Sequence, residues 1–92
     1  MIRAFKHRGL KRLFEKSDRS KISAKHLARI EDILARLDIA ETVESLDLPG
    51  YNLHRLRGNL RGIWSVRISG NWRIIFRLSD GDVFDVDLIY YH

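Results

Sequence analysis

The chain has 92 residues, of which 17 are lysine or arginine and 12 are aspartate or glutamate, and its formal net charge is +5. A chain of this length is typical of one domain with a modest core, and we expect residues 1–92 to form that single domain. The sequence has no cysteine, which excludes disulfides, thiolate metal sites and cysteine nucleophiles. No apolar run has membrane length and residues 1–14 lack the apolar stretch of a signal peptide, so we expect a cytoplasmic protein.

The first half of the chain is predicted to be mainly helical. Residues 2–5 are a short apolar start and a candidate strand, and Leu10, Leu13 and Phe14 then share one face of a first helix. The Pro-Gly pair at residues 49–50 breaks the helical pattern and marks the turn into the second half of the chain.

A second, longer helix is predicted to begin with Ser23 as its N-cap. Its apolar residues recur at alternating three- and four-residue steps, which is typical of one buried helix face. These residues are Leu27, Ile30, Leu34 and Leu37. We interpret the apolar faces of both helices as core and not as a groove for a partner helix.

The second half is predicted to form antiparallel strands, because apolar and polar residues alternate there. The expected apolar face comprises Trp64, Val66 and Ile68, then Trp72, Ile74, Phe76 and Leu78, then Phe84, Val86, Leu88 and Tyr90. A two-residue hairpin loop at residues 80–81 would place aspartates opposite that face, so an odd loop, residues 80–82, is predicted.

The odd loop fixes the expected register of the last hairpin. It pairs Phe76 with Val86 and Ile74 with Leu88, and it sets Arg77 across from Asp85. On the outer face of the sheet the same register makes Arg73 and Tyr91 near neighbours. The end of the chain is therefore predicted to lie beside an arginine.

Charge is segregated along the chain. Residues 51–77 contain no acidic residue and six arginines, which are Arg55, Arg57, Arg61, Arg67, Arg73 and Arg77. A second basic block near the N-terminus consists of Arg3, Lys6, Arg8, Lys11 and Arg12, whereas the charged residues of 31–47 are all acidic except Arg36. A positive surface of this kind suits a polyanion, and the alternative is an ordinary solvated face.

Three separate segments carry residues suited to RNA cleavage: His54, Arg57, Arg73, Tyr91 and His92. Such a reaction needs one group that takes the proton of a ribose 2′-hydroxyl and another that protonates the leaving oxygen, and histidine suits both roles. Guanidinium groups hold the phosphate as charge develops. A strand arrangement can bring these positions together, because adjacent strands lie about 5 Å apart.

Each of these residues also has an ordinary structural interpretation. His54 is a candidate surface histidine, Arg73 a candidate partner of an aspartate across the sheet, and residues 91–92 a candidate disordered end. A metal site is not expected, because His54, His92, Asp85 and Asp87 show no ligand spacing.

Three segments, IRAFKHRGLKRLFEK, LHRLRGNLRGIWSVRISGNWRIIFRLSDGD and the final YYH, together resemble the HigB-type toxins of the RelE superfamily. The resemblance covers essentially the whole chain. It implies an α+β fold in which two N-terminal helices pack on a small twisted antiparallel sheet. It also implies a toxin that enters the ribosomal A site and cuts mRNA there, without a cofactor or metal.

The resemblance further implies particular partners. These are a HigA-like helix-turn-helix antitoxin that represses the shared operon, the ribosome with its 16S ribosomal RNA, and mRNA, but no membrane. It implies a monomer when the toxin is alone and a heterotetramer with the antitoxin. Seven further basic residues are assigned to ribosome and RNA binding. Four of them, Lys6, Arg8, Lys11 and Arg12, are remote in sequence from the expected site and cluster at the N-terminal helix, and the others are Arg55, Arg61 and Arg67.

Carried over by position, the family's catalytic residues fall on His54 in YNLHRL, Arg57, Arg73 in NWRI, and the final Tyr91 and His92. Relatives can have lysine at position 57, and arginine there keeps the charge but does not transfer protons, so Arg57 is interpreted as a phosphate clamp.

A second departure from the family lies before the final Tyr-His pair, where relatives often have an acidic residue and this chain has Tyr90. Asp87 and the terminal carboxylate of His92 are candidates to replace that acid. Two alternatives to a ribosome-dependent endoribonuclease stay open, the first because the basic patch alone suffices for it and the second because of Tyr90. One is a non-catalytic RNA-binding module, and the other is a degenerate toxin that acts as an antitoxin-bound transcriptional regulator.

Overall fold

The structure is a computed structural model that describes residues 1–60 and 62–91. Its helices are α1 (Arg8–Lys16) and α2 (Leu27–Ile39), and its strands are β1 (His54–Arg55), β2 (Trp64–Ser69), β3 (Trp72–Ser79) and β4 (Asp82–Tyr90). The strands pair antiparallel in the order β1-β2-β3-β4. Two helices and one antiparallel sheet form the α+β class that the sequence predicts.

The two helices begin differently. At α1 the imidazole Nδ1 of His7 accepts a hydrogen bond from the backbone N–H of Leu10 at 3.1 Å, so a histidine takes the capping role. Before α2, residues 24–26 form a 3₁₀ turn, and Ser23 precedes that turn without a capping bond from its side chain. The prediction of Ser23 as the N-cap of α2 is therefore wrong, because a 3₁₀ turn lies between them.

One face of the sheet packs with both helices in the main hydrophobic core. Its buried residues include Leu10 and Leu13 of α1, Ile30, Ile33, Leu34 and Leu37 of α2, and Val66, Ile74, Phe76, Val83 and Val86 of the sheet. On the outer face, a smaller cluster joins Leu56, Ile63 and Ile75. Burial of Leu56 in this second cluster holds the short β1 segment against the outer face of the sheet.

Residues 2–5 do not form a regular strand. Ile2 and Phe5 make isolated parallel bridges to Val83 and Val86 of β4, and the backbone N–H of Arg3 donates to the carbonyl of Val83 at 2.7 Å. The candidate strand at the start of the chain is thus reduced to two bridges that cover the edge of β4. Within the described ranges, no helix is long and apolar enough to cross a membrane.

The β3–β4 hairpin corrects the predicted loop. Asp80 and Gly81, with φ of 51° and 79°, form a two-residue loop flanked by the Ser79–Asp82 pair. Two successive positive φ values are typical of the turn that best matches strand twist, so the local preference of Asp-Gly decides the loop. The predicted odd loop over residues 80–82 is wrong.

A β-bulge reconciles this short loop with the apolar pattern. Ile75 pairs with Asp87 but Arg77 pairs with Phe84, so β4 carries one extra residue between these pairs, and Asp85 has a φ of 56° there. Beyond the bulge, the predicted pairing of Ile74 with Leu88 is confirmed.

Before the bulge the register differs from the prediction. Val83, which is fully buried, faces the core in place of the half-buried Phe84. The expected pairing of Phe76 with Val86 falls within the bulge, where Phe76 has no register partner in β4. Arg77 is no longer the register partner of Asp85, although the two side chains form an ion pair at 3.4 Å.

Candidate active site

The outer face of the sheet brings predicted site residues from three segments together. On β1, His54 pairs with Ser65 of β2, and the Nη1 atom of Arg73 on β3 donates a hydrogen bond to the Ser65 Oγ at 3.1 Å. The chain leaves β4 at Tyr91, whose backbone N–H donates to the carbonyl of Asn71 at 2.7 Å. This last bond holds residue 91 beside the start of β3.

Arg73 occupies an electrostatically unusual position. It is the direct cross-strand partner of Arg67, and like charges directly opposite each other destabilise a sheet. Its Nε atom is buried without a hydrogen-bond partner in the part of the chain that the structure describes. Across residues 1–60 and 62–91, no carboxylate lies within 4.0 Å of its guanidinium, so the alternative of an aspartate partner is not realised.

The guanidinium of Arg73 also faces an aromatic ring. Its Cζ atom lies 5.8 Å from the ring centroid of Tyr91, and this residue is 39% exposed. The predicted neighbourhood of Arg73 and Tyr91 is thus observed. A half-buried cation with a donor to spare, next to a second cation, favours binding of an anion such as phosphate.

A shallow pocket of about 220 Å³ lies next to this pair. It is lined by His54, Arg55, Leu56, Arg57 and Tyr91. Three of the five predicted catalytic residues therefore share one pocket, and Arg73 adjoins it through the Tyr91 ring. Both His54 and Arg57 are exposed, so a ligand in the pocket can reach them.

Two predicted site residues, His92 and Arg61, lie outside the described residues, and their roles stay predictions. Of the candidates for the missing acid, Asp87 lies on the outer face opposite Ile75, where its Oδ1 accepts from the Leu88 backbone N–H at 2.9 Å. Tyr90 is the last residue of β4, lies on the helix-facing side of the sheet and is 54% exposed. Within the described ranges, no group of three or more histidines, aspartates and glutamates is arranged to hold a metal ion.

The basic residues of α1 lie along a separate surface. Arg8, Lys11 and Arg12 line a hollow of about 370 Å³ together with Glu15 and Lys16. Arg12 also donates to Asp18 at 2.7 Å. Hydrogen bonds from the Ser20 hydroxyl and from Arg12 hold the pKa of the Asp18 carboxyl well below its usual range.

Sequence reasoning missed Ser65. This serine is fully buried, and it supplies the hydrogen-bond acceptor for the Arg73 guanidinium. The available signal was a serine on the same face of the predicted sheet as Arg73. Alternation alone does not distinguish such a residue from an ordinary exposed serine.

Comparison with known proteins identifies the family. A family model described as a RelE-like toxin of the type II toxin–antitoxin system HigB matches residues 3–92. The chain belongs to this HigB-like toxin family. Endoribonuclease HigB of Proteus vulgaris is 41% identical over 92 residues, all of both chains. Toxin HigB-1 of Vibrio cholerae serotype O1 is 33% identical over 86 residues, which are 88% of this chain and 87% of the relative.

Solved structures agree on the fold of this HigB-like chain. The YoeB-YefM complex from Staphylococcus aureus contains a chain with a TM-score of 0.63 and 17% identity, covering 100% of this chain and 99% of that one. The YoeB dimer from the same organism gives a TM-score of 0.60 at 19% identity, with coverage of 99% and 94%. The resemblance drawn from the sequence is therefore confirmed at the level of the family and the fold.

Proposed function

We propose that this HigB-like chain is a cytoplasmic, ribosome-dependent endoribonuclease that cuts mRNA in the ribosomal A site. Its class as an endoribonuclease toxin is supported by the family match and by the full-length relative named Endoribonuclease HigB. The dependence on the ribosome follows from the family resemblance and from the basic surface of α1, which would bind 16S ribosomal RNA.

The observation that carries the proposal is the arrangement around Arg73. Its guanidinium is half-buried, lies opposite Arg67 and next to Tyr91, and borders the pocket that holds His54 and Arg57. A sheet accepts the repulsion between two facing arginines more readily when an anion lies between them. The scissile phosphate of RNA is such an anion.

The proposed reaction uses the 2′-hydroxyl of the substrate as nucleophile. Its oxygen forms a bond to phosphorus while the bond from phosphorus to the 5′-oxygen breaks, which leaves a cyclic phosphate and a 5′-hydroxyl. His54 and His92 are the candidates to take the first proton and to supply the second, because imidazole titrates near neutral pH. Arg73 and Arg57 hold the charge that develops on the phosphate, and Tyr91 packs against Arg73.

Dependence on the ribosome has a physical reason in this proposal. The pocket is shallow and the chain presents few groups that transfer protons, so the substrate must be aligned by a larger surface. Alignment alone can lower a barrier by about 7–11 kcal/mol. Free mRNA should therefore be cut much more slowly than the same mRNA on a translating ribosome.

The proposed partner that restrains the toxin is a HigA-like helix-turn-helix antitoxin. The family consists of toxins of type II toxin–antitoxin systems, and one neighbour in fold is described as a heterotetrameric complex of YoeB-YefM toxin-antitoxin. For this chain we propose a monomer when free and a heterotetramer when bound to its antitoxin.

The proposal is tested with Arg73→Ala and a matched control, Arg77→Ala. Both arginines lie on the outer face of β3, but Arg77 forms an ion pair with Asp85 at 3.4 Å and does not line the pocket. Cleavage of mRNA on translating ribosomes, measured by mapping new 5′ ends, should fall about 10²- to 10³-fold in Arg73→Ala. The control should cut within a few-fold of the parent chain, and thermal unfolding should show that both variants fold.

Near-normal cleavage by Arg73→Ala would contradict the assignment of Arg73 to the phosphate. Equal rates on free and ribosome-bound mRNA would contradict the dependence on the ribosome. Binding of RNA or of the antitoxin by the unaltered chain, with no new 5′ ends, would favour the non-catalytic alternatives.

A further inference from the structure

A second hollow lies on the helix-facing side of the sheet, at the same end of the β3–β4 hairpin as Arg73. Its volume is about 380 Å³, and its lining includes Lys21, Lys25, His26 and Trp72. We call it the Trp72 hollow. None of these four residues belongs to the catalytic set or to the surface assigned to ribosomal RNA.

Trp72 lines this hollow, and the residue is 37% exposed. The ring is oriented by an edge-to-face contact with Tyr90, with 5.0 Å between centroids, and by a tilted contact with His26 at 6.0 Å. An aromatic ring at a concave surface offers a ligand a large apolar contact area. A ring held in one orientation is suited to stacking on a flat, polarisable ligand.

Two lysines line the hollow together with Trp72. Lys21 and Lys25 are exposed, and neither forms an ion pair with any residue in the part of the chain that the structure describes. Aromatic stacking platforms with adjacent cations are the usual binding sites for single-stranded nucleic acid. A nucleotide base can stack on the Trp72 ring, and a phosphate can form ion pairs with the lysines.

The position of the hollow matches the path of an RNA strand through the proposed active site. Trp72 and Arg73 are consecutive residues of β3, so their Cα atoms are about 3.8 Å apart and their side chains point to opposite faces. RNA whose scissile phosphate lies at Arg73 can pass around this end of the hairpin. The next unpaired nucleotide then reaches the Trp72 hollow.

We propose that the Trp72 hollow binds one nucleotide adjacent to the cut. Its base stacks on Trp72 and its phosphate lies near Lys21 and Lys25. The ligand class, single-stranded RNA, rests on the proposed function, but the site itself is separate from the residues that cut.

The direct test is a fluorescence titration, because the chain has two tryptophans. Trp64→Phe leaves Trp72 as the reporter, and the probe is a short single-stranded RNA with 2′-methoxy groups, which resists cleavage. Saturable quenching of Trp72 is expected. Trp72→Leu, measured by the anisotropy of a labelled probe, should weaken binding about 5- to 100-fold, whereas Trp72→Phe should keep most of it.

Charge is tested with the double variant Lys21→Gln/Lys25→Gln. The slope of log affinity against log salt should fall by up to about 1.4, or about 0.7 for each phosphate that the lysines no longer neutralise. The matched control, Arg3→Gln/Arg36→Gln, removes the same charge from distant ion pairs at the hairpin turn and at the last turn of α2. The control should leave the slope within a few tenths of the parent value.

The outcomes separate this proposal from the proposed function. Arg73→Ala should reduce cleavage by about 10²- to 10³-fold but leave quenching of Trp72 in place. Quenching by RNA in a chain that never cuts would support the hollow and contradict the enzymatic proposal. If cleavage needs Arg73 but Trp72→Leu binds RNA as tightly as the parent chain, the hollow is not an RNA site. The same conclusion follows if Lys21→Gln/Lys25→Gln loses antitoxin binding while its RNA binding is unchanged.

Discussion

Ser65→Ala removes one oxygen atom from the centre of the candidate site. Ser65 is fully buried, and its Oγ accepts the hydrogen bond from Arg73 Nη1 at 3.1 Å. Among the described residues, this is the hydrogen bond that orients the Arg73 guanidinium. Alanine fits the same space, so the substitution frees the arginine without opening a large cavity.

The expected effect on cleavage is larger than the effect on folding. A hydrogen bond to a charged group contributes about 1.5–3 kcal/mol, which corresponds to a roughly 10- to 150-fold loss of rate if the bond is needed in the transition state. The stability change should be about 1 kcal/mol, because Arg73 is only half-buried and water can accept the hydrogen bond that its Nη1 atom loses.

The assay compares kcat for mRNA cleavage on ribosomes with thermal unfolding of the same variants. Ser69→Ala is the control, since Ser69 is an exposed serine of the same strand. A double-variant cycle sharpens the test, because Ser65→Ala should cost nothing further once Arg73 is already alanine. An unchanged rate in the single variant, or an equal loss on both backgrounds, would refute the positioning role.

Three further predictions concern stability and the end of the chain. Burial, and then the 2.5 Å hydrogen bond to Asp32, raise the pKa of Tyr51 to about 12. The unfolded pKa is about 10, so this stabilisation is present below pH 10 and is lost as the pH rises from 10 to 12. In urea unfolding, the free energy of unfolding should therefore fall less steeply with alkaline pH in Tyr51→Phe than in the parent chain. Parallel curves for the two chains would contradict this. Asp85→Val should destabilise the fold by about 1–2 kcal/mol despite the strand propensity of valine, because φ is 56° at this position. Asp85→Gly should be tolerated, because glycine adopts positive φ without strain. Chemical denaturation of both variants measures the difference. Removal of His92 should reduce cleavage about 10²- to 10⁴-fold with little change in melting temperature, and a chain ending at residue 91 that cuts normally would rule out proton transfer by His92.

Much of the fold could be predicted because apolar periodicity records burial. The helix faces and the pairing of Ile74 with Leu88 follow from periods of about 3.6 and 2 residues. The loop at residues 80–81 does not follow from the alternation of apolar residues, because alternation predicts the loop only if one register holds along the whole hairpin. The Asp-Gly pair, a strong signal for a two-residue loop, was the better guide.

The candidate site was predictable to a different extent. The resemblance to a toxin family selected His54, Arg57 and Tyr91, which the structure gathers at one pocket. The surroundings of Arg73 could not be derived from alternation, since an outward-facing strand arginine can lie opposite an acidic side chain or opposite another basic one. Only the observed register shows Arg67 directly opposite Arg73.

The bulge at Asp85 connects the loop at residues 80–81 with the setting of Arg73. With a two-residue loop and an uninterrupted register, Arg73 would lie opposite Leu88, and Asp87 and Tyr91 would turn toward the helix-facing core. One extra residue in β4 reverses the parity beyond it, so that Leu88 returns to the core side while Tyr91 reaches the Arg73 guanidinium. The bulge therefore lets the Asp-Gly turn, the apolar face and the Arg73–Tyr91 contact coexist in one short hairpin.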